Sequence, residues 1–564
     1  MRYFITVVLF KVILIGGIFG AIYDGLYNVD IGVEVNTFYE ATKTPSVIRC
    51  AMRCNTSVSC QTATFDAETK ECRLSTDTRT YAIDTGNSSR KTISAVQDTP
   101  MCTEPPLVSN GTLDITTATL LDATASLQCN PGYAKTATSP LSVNCVEGTG
   151  WGDISLMVCL KIGSDPRGYQ GTSFMLGFML NGGEFNTGIP TLLFACNGTA
   201  SVRVEIPWLL VDKIYVVASS LSVEIDISTV LTNSHTIEQK VVYITSNIPI
   251  TVYSFSFHPR SADGTLILPI PKLSTEYYIA GYPSSGISTD EILLITHYDT
   301  TTVIIEYANT QQMITLDANE TFLYQAWNLS GARITASKPL FVLSGQNCAM
   351  IPDMSAYYCD YIDEVSPPLT SLGKKHIVSF MTPRPDFTIN VVTVESMTTV
   401  TFYLGSGAIL ETLAGLAAKT SIIRTYTVSK TMVIISDKPI MIHQYGHGGW
   451  NISGDPSMMF IPDIEHYGDQ YEFMVPATSI LPTLTVIIDN IYSTSELKLN
   501  GKNFNPVATI TANVPDVGIF TVLYVEVPNG FNTLTHDSGI ARFGAWLYDR
   551  SIAREYALTL GYAV

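Results

Sequence analysis

Short runs of alternating or continuous apolar residues, separated by Gly, Asn, Asp, Ser and Pro, dominate the chain from residue 168 onwards. The stretch 375–446 contains seven of them: KHIVSFMT, FTINVVTV, TTVTFYL, AILETL, TSIIRTYTV, TMVIIS and PIMIHQYG. A period of two residues and many β-branched side chains are typical of β-strands. Seven strands in about 100 residues fit a two-sheet sandwich that closes its own core. A β-propeller built from the same strands is the alternative.

This pattern repeats along the chain. The segments SVRVEI, TTVIIEY, TTVTFYL and SELKLNG align, so that Val202, Val303, Val400 and Leu497 are 101, 97 and 97 positions apart. A marker segment follows in three repeats, as SNIPITVYSF, SKPLFVLSG and SDKPIMIHQYG, whereas the fourth ends in FGAWLYD without the proline. A fixed period indicates a repeated structural unit. The four β-repeats that we expect cover roughly residues 168–260, 270–350, 365–450 and 468–564.

The N-terminus has the pattern of a secretory signal. Residues 1–22 read MRYFITVVLFKVILIGGIFGAI, with an apolar stretch after Arg2 that is interrupted by Lys11 and ends in small residues. A membrane-spanning helix needs about 20 apolar residues with few charges, so a signal peptide is favoured over an anchor. No later segment reaches that length. We therefore predict a secreted, extracellular protein without a membrane span in the mature chain.

The net charge bears on the possible partners, and the sequons bear on glycosylation. The formal net charge is −18, and no cluster of Lys and Arg suited to phosphate binding occurs, so nucleic acid is not an expected partner. The acidic surface can attract calcium or basic partners, but solubility is the simpler interpretation. Asn-x-Ser/Thr sequons in a secreted protein predict glycosylated surface loops. They occur at Asn55, Asn87, Asn110, Asn197, Asn319, Asn328 and Asn451.

The first cysteine group lies in SVIRCAMRCNTSVSCQTATFDAETKECRL. A short helix from about Ser46 would place the first two thiols on one face. The CxxxC helix, the Cys after a polar turn and the Cys-x-Leu strand resemble the PAN/apple family, and we assign residues 23–100 to such a domain. A zinc site is disfavoured because CxxC pairs are absent. The resemblance implies the disulfides Cys50–Cys72 and Cys54–Cys60.

The second cysteine group lies in CTEPPLVSNGTL, LQCNPGY, SVNCVEGTGW and MVCLK. The Cys near prolines, the Cys-x-Pro-Gly-Tyr segment and Trp151 before the last Cys resemble a sushi (complement control protein) module at residues 101–161. The hydrophobic core of so small a module gives only marginal stability by itself, and disulfides would supply the remainder. We expect Trp151 in the core. The resemblance implies the disulfides Cys102–Cys145 and Cys129–Cys159.

The repeat region carries more specific motifs. SKPLFVLSGQNCA is followed by IPDMSAYYCDYIDEVSPPLTSLGKKHIV, SDKPIMIHQYG by GDPSMMFIPDIEHYGDQYEF, and the chain ends in FNTLTHDSGIARFGAWLYD and YALTLGYAV. These segments resemble the N-terminal domain of the IgG Fc-binding protein family, and we assign residues 162–564 to it. The resemblance implies an extracellular recognition or mucus-associated role, without implying immunoglobulin binding. Residues 454–457 read Gly-Asp-Pro-Ser, not the self-cleaving Gly-Asp-Pro-His that some von Willebrand-type D domains carry, so self-cleavage is not predicted.

The remaining cysteines give two further expectations. Cys348 and Cys359 are predicted to form a disulfide, worth roughly 2 to 3 kcal/mol in the chain-entropy model. Cys196 is then left over beside the sequon at Asn197. It is either a buried small apolar residue or the source of a disulfide-linked oligomer, and the sequence does not distinguish the two.

No catalytic or metal motif emerges. A nucleophile elbow requires Gly-x-Ser-x-Gly, and GYPSSG at residues 281–286 has a different spacing and reads as a turn. On a strand, His443 and His447 would lie about 13 Å apart, too far for one metal ion unless the turn between them brings them together. His466 and His536 are lone residues. We predict no catalytic residue, no metal site and no cofactor.

One acidic cluster needs a separate interpretation. Asp360, Asp363 and Glu364 lie close together in the sequence, and paired carboxylates can support glycoside hydrolysis. Because the cluster adjoins Cys359 and the pair Pro367-Pro368, we expect a loop with a solvated acidic face. We therefore predict that the protein is not an enzyme.

These expectations combine into a mainly β, disulfide-rich mosaic protein: PAN-like and sushi-like modules followed by four tandem β-repeats. The favoured function is extracellular binding or adhesion, with protein or glycan ligands and a role in mucosal or innate defence. A structural component of mucus or extracellular matrix is the alternative, and a carbohydrate-active enzyme is a weaker one. The sequence assigns no ligand-binding residue, because recognition lies in loop geometry that a fold does not determine.

Overall fold

The computed structural model describes the C-terminal 400 residues almost completely and, before them, a set of strands mainly as backbone. From residue 165 the description omits 182–187, 231–233, 259, 284–287, 354–358, 428–429, 449–453 and 550–553. The chain separates into two compact units, residues 1–128 with 140–157, and residues 129–139 with 158–564. Both are built from β-strands, which confirms the predicted fold class.

Twelve described strands precede residue 165 and form antiparallel sheets in the orders β1-β2-β6-β4-β5-β3, β11-β10-β8-β7 and β12-β9. The helix expected near Ser46 lies outside the described residues. The signal peptide predicted at residues 1–22 stays a prediction. The strands are β1 (Thr6–Ile15), β2 (Ile18–Ile31), β3 (Glu40–Lys43), β4 (Thr62–Asp66), β5 (Glu71–Ser75), β6 (Arg90–Ala95), β7 (Gly111–Ile115), β8 (Thr124–Cys129), β9 (Tyr133–Lys135), β10 (Ser142–Val146), β11 (Gly150–Trp151) and β12 (Cys159–Lys161).

The second unit contains the four repeats. The first two comprise β13 (Gly171–Leu176), β14 (Ile189–Ile206), β15 (Val211–Glu224), β16 (Ile237–Glu238), β17 (Val242–His258), β18 (Ser261–Ile267), β19 (Ser274–Tyr278), β20 (Asp290–Thr296), β21 (Thr301–Tyr307), β22 (Thr310–Leu316), β23 (Thr321–Ala326), β24 (Arg333–Ala349) and β25 (Asp360–Val365).

The last two repeats comprise β26 (Gly373–Ser379), β27 (Phe387–Thr393), β28 (Thr398–Leu404), β29 (Ile409–Leu416), β30 (Ser421–Tyr426), β31 (Thr431–Gly446), β32 (Ser457–Phe460), β33 (Gln470–Val475), β34 (Pro482–Asp489), β35 (Leu497–Leu499), β36 (Ala508–Val514), β37 (Gly518–Glu526), β38 (Gly530–His536), β39 (Phe543–Asp549) and β40 (Tyr556–Thr559). Short 3-10 helices connect some strands, at Pro207–Leu209, Ile227–Thr229, Ile270–Lys272, Leu369–Ser371, Ile464–His466 and Thr494–Glu496.

One long strand organises each of the first three repeats. Before Pro339, β24 pairs with β19 and β21; after it, the same strand pairs with β20 and β25. The strand β31 changes partners in the same way at Pro439. The strand β17 instead pairs with the two halves of β14 on either side of Pro249, with β13 mainly before it and with β18 after it. Strands that switch sheets form the corners of sandwiches, so the sandwich interpretation is consistent with these curled sheets. Proline suits a corner because it has no N–H for the ladder.

The recurring marker segments have a structural reason. In each, a polar side chain just before the proline accepts a hydrogen bond from a backbone N–H of the adjacent strand, and this bond fixes the corner. The pairs are Ser201 N to Asn247 Oδ1 (2.7 Å), Thr302 N to Ser337 Oγ (3.0 Å) and Thr399 N to Asp437 Oδ1 (2.7 Å).

The fourth repeat lacks the marker and has a different corner. Its long strand is broken into β38 and β39, which belong to separate sheets of the orders β33-β38-β35 and β36-β37-β34-β39-β40. The break lies between His536 and Phe543. The absence of the marker proline in this repeat therefore accompanies a division into two sheets.

The four repeats meet at a central ring of short strands, β18, β25, β32 and β40. Each follows the long strand of its repeat, or β39 in the fourth, and pairs with it. Each ring strand also contacts the next, and β40 contacts β18, so the ring is closed. Every residue of these four strands is buried. Inner strands arranged around one centre are a feature of the propeller alternative. In this protein they occur together with sheets that curl as in a sandwich within each repeat.

Replacing Asp437 by Ala should lower the free energy of unfolding by about 1 kcal/mol, because the Thr399 N–H loses its acceptor at the corner of the third repeat. Asp437→Asn keeps the Oδ1 acceptor and serves as the matched control. Chemical denaturation of the three proteins measures the difference. Equal losses in both variants would show that the corner hydrogen bond does not stabilise the repeat.

Candidate functional site

The acidic residues singled out by the sequence lie at the centre of the repeats. Asp360, Asp363 and Glu364 belong to β25 and are 1%, 4% and 2% exposed. Asp263 of β18 lies beside them and is fully buried. The expectation of a solvated loop is therefore wrong, because the segment DYIDEV is a buried strand of the central ring. The adjoining disulfide and prolines lie at the two ends of this strand.

These polar side chains complete the hydrogen bonding of the ring. One edge of β25 pairs with β24, and the N–H groups of the other edge point towards β18, where no backbone ladder receives them. Buried N–H groups need acceptors, and side chains of β18 supply them. The bonds are Tyr361 N to Ser261 Oγ (3.1 Å), Asp363 N to Asp263 Oδ2 (3.4 Å) and Val365 N to Thr265 Oγ1 (2.9 Å).

Two carboxyl groups extend this bonding to β32. Asp263 Oδ2 also accepts the N–H of Met458 at 3.0 Å, and Glu364 Oε2 accepts the N–H of Phe460 at 3.2 Å. Glu364 Oε1 in turn accepts the hydroxyl of Thr265 at 2.8 Å. The acidic cluster thus joins three ring strands. Its burial gives no support to glycoside hydrolysis, which needs carboxyl groups that reach the substrate.

Burial changes the protonation of this cluster. It raises the pKa of Asp263 and of Asp360 well above the usual range, and nearby carboxylates add to both shifts. Burial also raises the pKa of Asp363 to about 7 and that of Glu364 to about 8. Desolvation disfavours the charged form of a carboxyl group, so neutral forms persist here at pH values where exposed carboxyl groups are ionised.

A buried ion pair lies near one end of the ring. Arg384 and Glu555 are 3% and 0% exposed, and their side chains approach to 2.6 Å. Arg384 also donates to the carbonyl oxygen of His447. A side chain at Gly454 would collide with the guanidinium group, so the segment Gly-Asp-Pro-Ser packs directly on it. Burial raises the pKa of Asp455 to about 6, against the lowering effect of Arg384.

The singled-out histidines have separate surroundings in the described part of the chain. Both ring nitrogens of the buried His443 lack a hydrogen-bond partner within the described part of the chain, and burial lowers its pKa to about 3. His447 Nε2 lies 2.9 Å from Thr388 Oγ1. Within the described residues, no group of His, Cys, Asp or Glu has a geometry that could hold a metal ion. His466 Nε2 lies 3.1 Å from Thr370 O, and His536 Nδ1 lies 2.8 Å from Ser538 Oγ.

The cysteines of the repeat region have distinct environments. Cys348 and Cys359 form a disulfide with a Cα–Cα distance of 4.9 Å. Cys196 is a free, fully buried thiol at a bulge of β14. Its environment fits a small apolar residue and does not favour a disulfide to another chain. Cys129 is disulfide-bonded. The side-chain pairings predicted for Cys50, Cys54, Cys60, Cys72, Cys102, Cys145 and Cys159 lie outside the described residues.

Three sequons fall on described residues. Asn197 and Asn328 are exposed and Asn319 is half-buried, each at a bulge or turn. Asn319 and Asn328 have φ angles of 70° and 55°, which Asn adopts more readily than most residues. Glycosylation stays a prediction. The other sequons, Asn55, Asn87, Asn110 and Asn451, lie outside the described residues.

An apolar surface is exposed on the first repeat. Trp208, Leu210, Ile214 and Val216 are 38%, 92%, 67% and 71% exposed and lie within nine residues of each other. We call these four residues the hairpin surface, because they occupy the turn between β14 and β15 and the outward side of β15. Exposed contiguous apolar residues mark interaction sites more often than isolated ones do.

Local structure holds the hairpin surface in place. The 3-10 turn starts at Pro207, and Leu210 follows in the left-handed region with φ 55°. An L-residue there costs about 1 to 2 kcal/mol, and the Leu210 side chain is exposed. Next to the turn, Arg203 of β14 binds Asp212 of β15 through two hydrogen bonds of 2.8 Å. Within the described residues, β15 is the edge strand of its sheet and pairs only with β14.

Sequence reasoning missed the hairpin surface and the ion pair. The only signal for the former is the apolar run PWLLV at residues 207–211, which also reads as part of a core. Arg384 and Glu555 are distant in sequence, and no spacing connects them.

Comparison with known proteins identifies two segments. The family model described as IgGFc binding protein matches residues 263–548, and the PAN domain model matches residues 33–97. These matches confirm two of the three resemblances. The sushi module stays a prediction. In the described part of the chain, no helix is long and apolar enough to cross a membrane.

Two curated relatives are similar over parts of the chain. The human IgGFc-binding protein is 24% identical over 257 residues, which is 41% of this chain and 4% of that protein. The mouse sushi, von Willebrand factor type A, EGF and pentraxin domain-containing protein 1 is 37% identical over 98 residues, 17% of this chain and 2% of that protein. The chain thus spans a small fraction of the length of either relative.

One solved structure has a weak similarity to this chain. It is a Ca²⁺-stabilized adhesin of an Antarctic bacterium that binds ice, 11% identical, with 70% of this chain and 98% of that chain covered and a TM-score of 0.10.

Replacing Arg384 by Met should lower the free energy of unfolding by up to about 3 to 5 kcal/mol. The reason is that the buried Glu555, whose pKa burial raises to about 8, loses its partner and must either stay charged alone or bind a proton. The double variant Arg384→Met/Glu555→Gln should recover part of this loss. A double-mutant cycle by chemical denaturation at pH 7 measures the coupling. Additive losses from the two single variants would contradict the assignment of the pair.

Proposed function

We propose that this chain, which belongs to the IgGFc-binding protein family, is a secreted binding or adhesion protein that recognises protein or glycan ligands in the extracellular space. The family match, the PAN domain and the Cys348–Cys359 disulfide support an extracellular binding role. A sushi module at residues 101–161 and a place in mucosal or innate defence belong to the same proposal. The family name does not extend to a claim that this chain binds immunoglobulin.

The hairpin surface is the observation that carries the binding role. Interfaces obtain most of their energy from a few residues, with Trp prominent among them, and these work best when the free protein already holds them in place. Here Trp208 and Leu210 project from a turn fixed by Pro207, and Ile214 and Val216 project from a paired strand. The repeats thus supply a rigid scaffold and the hairpin supplies the contact.

The alternatives receive less support. A matrix component cross-linked through Cys196 would need this fully buried thiol to become exposed. A carbohydrate-active enzyme would need accessible carboxyl groups, whereas Asp360 and Asp363 are both buried. Asp360 accepts the backbone N–H of Tyr361, and Asp363 accepts the hydroxyl of the same residue.

We expect substitution of the hairpin surface to weaken binding at least tenfold without unfolding the protein. The test is a screen of the purified chain against host extracellular proteins, microbial surfaces and glycans, in calcium and after chelation, followed by titration of each hit. The variant is Trp208→Ser/Ile214→Ser/Val216→Ser. The matched control is Ile409→Ser/Leu410→Ser, which replaces residues of β29 that are 66% and 50% exposed.

Two outcomes would contradict the proposal. If the folded wild-type chain bound nothing in the screen, the binding role itself would fail. If the triple variant of the hairpin surface bound a ligand as tightly as the wild type and the control do, the binding role would stand, but the hairpin surface would not be the binding site.

Expression through a eukaryotic secretory pathway should release the chain into the medium with N-linked glycans. Asn197→Gln and Asn328→Gln should each remove one glycan, because both side chains are exposed at turns or bulges. Gel mobility before and after enzymatic deglycosylation measures this. A chain retained in the cell, or one whose mobility does not change on deglycosylation, would contradict the predicted secretion route.

A further inference from the structure

The strand β15 presents a regular edge along its first half. From Val211 to Ala218 its residues pair in unbroken register with β14, which is its one strand partner within the described residues. A register shift follows, and Ser219 there has a φ angle of 73°. Because a strand directs backbone N–H and C=O groups to both sides, residues 211–218 carry a row of such groups on the side away from β14.

The features that usually keep an edge strand from pairing are scarce in this segment. Proteins guard their edge strands with Pro, with bulges and with exposed charges, Lys above all. Residues 211–218 contain no Pro and no register shift, and two hydrogen bonds hold Asp212 to Arg203 of β14. Lys213 is the other charged residue of the segment. The described structure thus leaves this edge able to accept a further strand.

The outer face of the segment determines which strand fits. Ile214 and Val216 lie on this face, opposite Arg203 and Ser201 of β14, and are 67% and 71% exposed. Val217, the next residue, is buried on the other face. Opposite residues of an antiparallel pair have side chains on the same face, and apolar pairs stabilise the sheet. A partner strand should therefore place apolar side chains opposite Ile214 and Val216.

A second β15 meets this requirement when two copies pair antiparallel about Tyr215. Ile214 of each copy then lies opposite Val216 of the other, and the four side chains form one apolar cluster on the outer face. Lys213 lies opposite Val217 of the second copy, and no charged residue of the segment lies opposite another. The two Lys213 residues are about 13 Å apart along the paired strands, too far for strong repulsion.

The neighbouring registers fit less well. Centring the pair on Lys213 brings two ammonium groups face to face, and like charges directly opposite each other are destabilising. Centring it on Ile214 places Asp212 opposite Val216. Centring it on Val216 places Lys213 opposite Ser219, at the register shift. The segment is therefore self-complementary in one register, and the length of the regular edge matches that register.

We propose that the hairpin surface binds a second copy of this chain, through antiparallel pairing of residues 211–218 of two β15 strands about Tyr215. One sheet then continues from the first repeat of one copy into the first repeat of the other. Backbone hydrogen bonds supply the affinity, and the side chains of Ile214 and Val216 select the register. The inference rests on the proposed function, because it names the partner of the surface that carries the binding role.

The association is reversible and depends on concentration, because a single pair of short strands is a small interface. Sedimentation velocity of the purified chain at increasing micromolar concentrations measures it. We expect a monomer–dimer equilibrium in the wild type. Val216→Lys should raise the Kd of the dimer at least about tenfold, and so should Ile214→Lys, because an exposed charge on an edge strand opposes pairing. Both side chains are exposed, so the substitutions leave the core intact.

The matched control is Ile409→Lys. It places the same charge on β29, the edge strand of the sheet of the third repeat in the described structure, at a side chain that is 66% exposed. The Kd of this control should equal that of the wild type.

Disulfide cross-linking tests the register. Because Ile214 lies opposite Val216 of the second copy, a mixture of the variants Ile214→Cys and Val216→Cys should form more disulfide-linked dimer under mild oxidation than either variant alone. The native thiol of Cys196 is fully buried and does not compete. Equal cross-linking in the mixture and in the separate variants would contradict pairing about Tyr215.

A chain that stays monomeric at every concentration would overturn the proposal, and so would a dimer that Val216→Lys and Ile214→Lys leave as tight as before. The ligand screen separates this failure from failure of the proposed function. A monomeric chain that binds an arrayed ligand through the hairpin surface would retain the proposed function and lose the inference. A self-associating chain without an arrayed ligand would retain the inference and lose recognition of other molecules.

Discussion

The structure depends on one constraint: the backbone edges of the ring strands must be hydrogen-bonded where the repeats meet. Each of these strands pairs with its own repeat on one side, which leaves buried N–H groups on the other. An orphaned buried N–H costs about as much as a lost hydrogen bond, so these edges require acceptors. Ser261, Asp263 and Thr265 provide them for β25, and Glu364 provides one for β32. Side chains thus act between repeats as a ladder acts within a sheet.

Closure of the ring separates the roles of the inner and outer parts. Asp165 pairs with Val564 through the backbone, and Arg167 binds Asp469 at 2.9 Å, so the first and fourth repeats are joined. The buried pair of Arg384 and Glu555 joins the third and fourth. Because these contacts hold the centre, the outer hairpins contribute less to closure of the ring. The hairpin of β14 and β15 can therefore present apolar side chains to a partner.

Much of the local structure could be predicted from sequence. In the third repeat, the predicted runs correspond to β26 to β31, because alternation and β-branched residues report local conformation directly. The last two runs merge into the single strand β31, since the marker at Pro439 bends a strand and does not end it. The aligned segments at Val202, Val303 and Val400 occupy equivalent hairpin strands.

The interior of the ring could not be predicted in this way. Asp360, Asp363 and Glu364 have the composition of a solvated loop, and only contacts with another repeat, about 100 residues away in sequence, make them structural. The exposure of Trp208 and Leu210 was equally hidden, because an apolar run does not reveal whether a partner covers it.

Backbone hydrogen exchange tests the closed ring most directly. The amides of Tyr361, Asp363 and Val365 lie on the edge of β25 that has no ladder, and their acceptors belong to the first repeat. We predict that these three amides exchange as slowly as the laddered amides of β24, and that they open together with the whole ring. Rapid exchange at all three, with β24 still protected, would show that side chains of β18 do not close the ring.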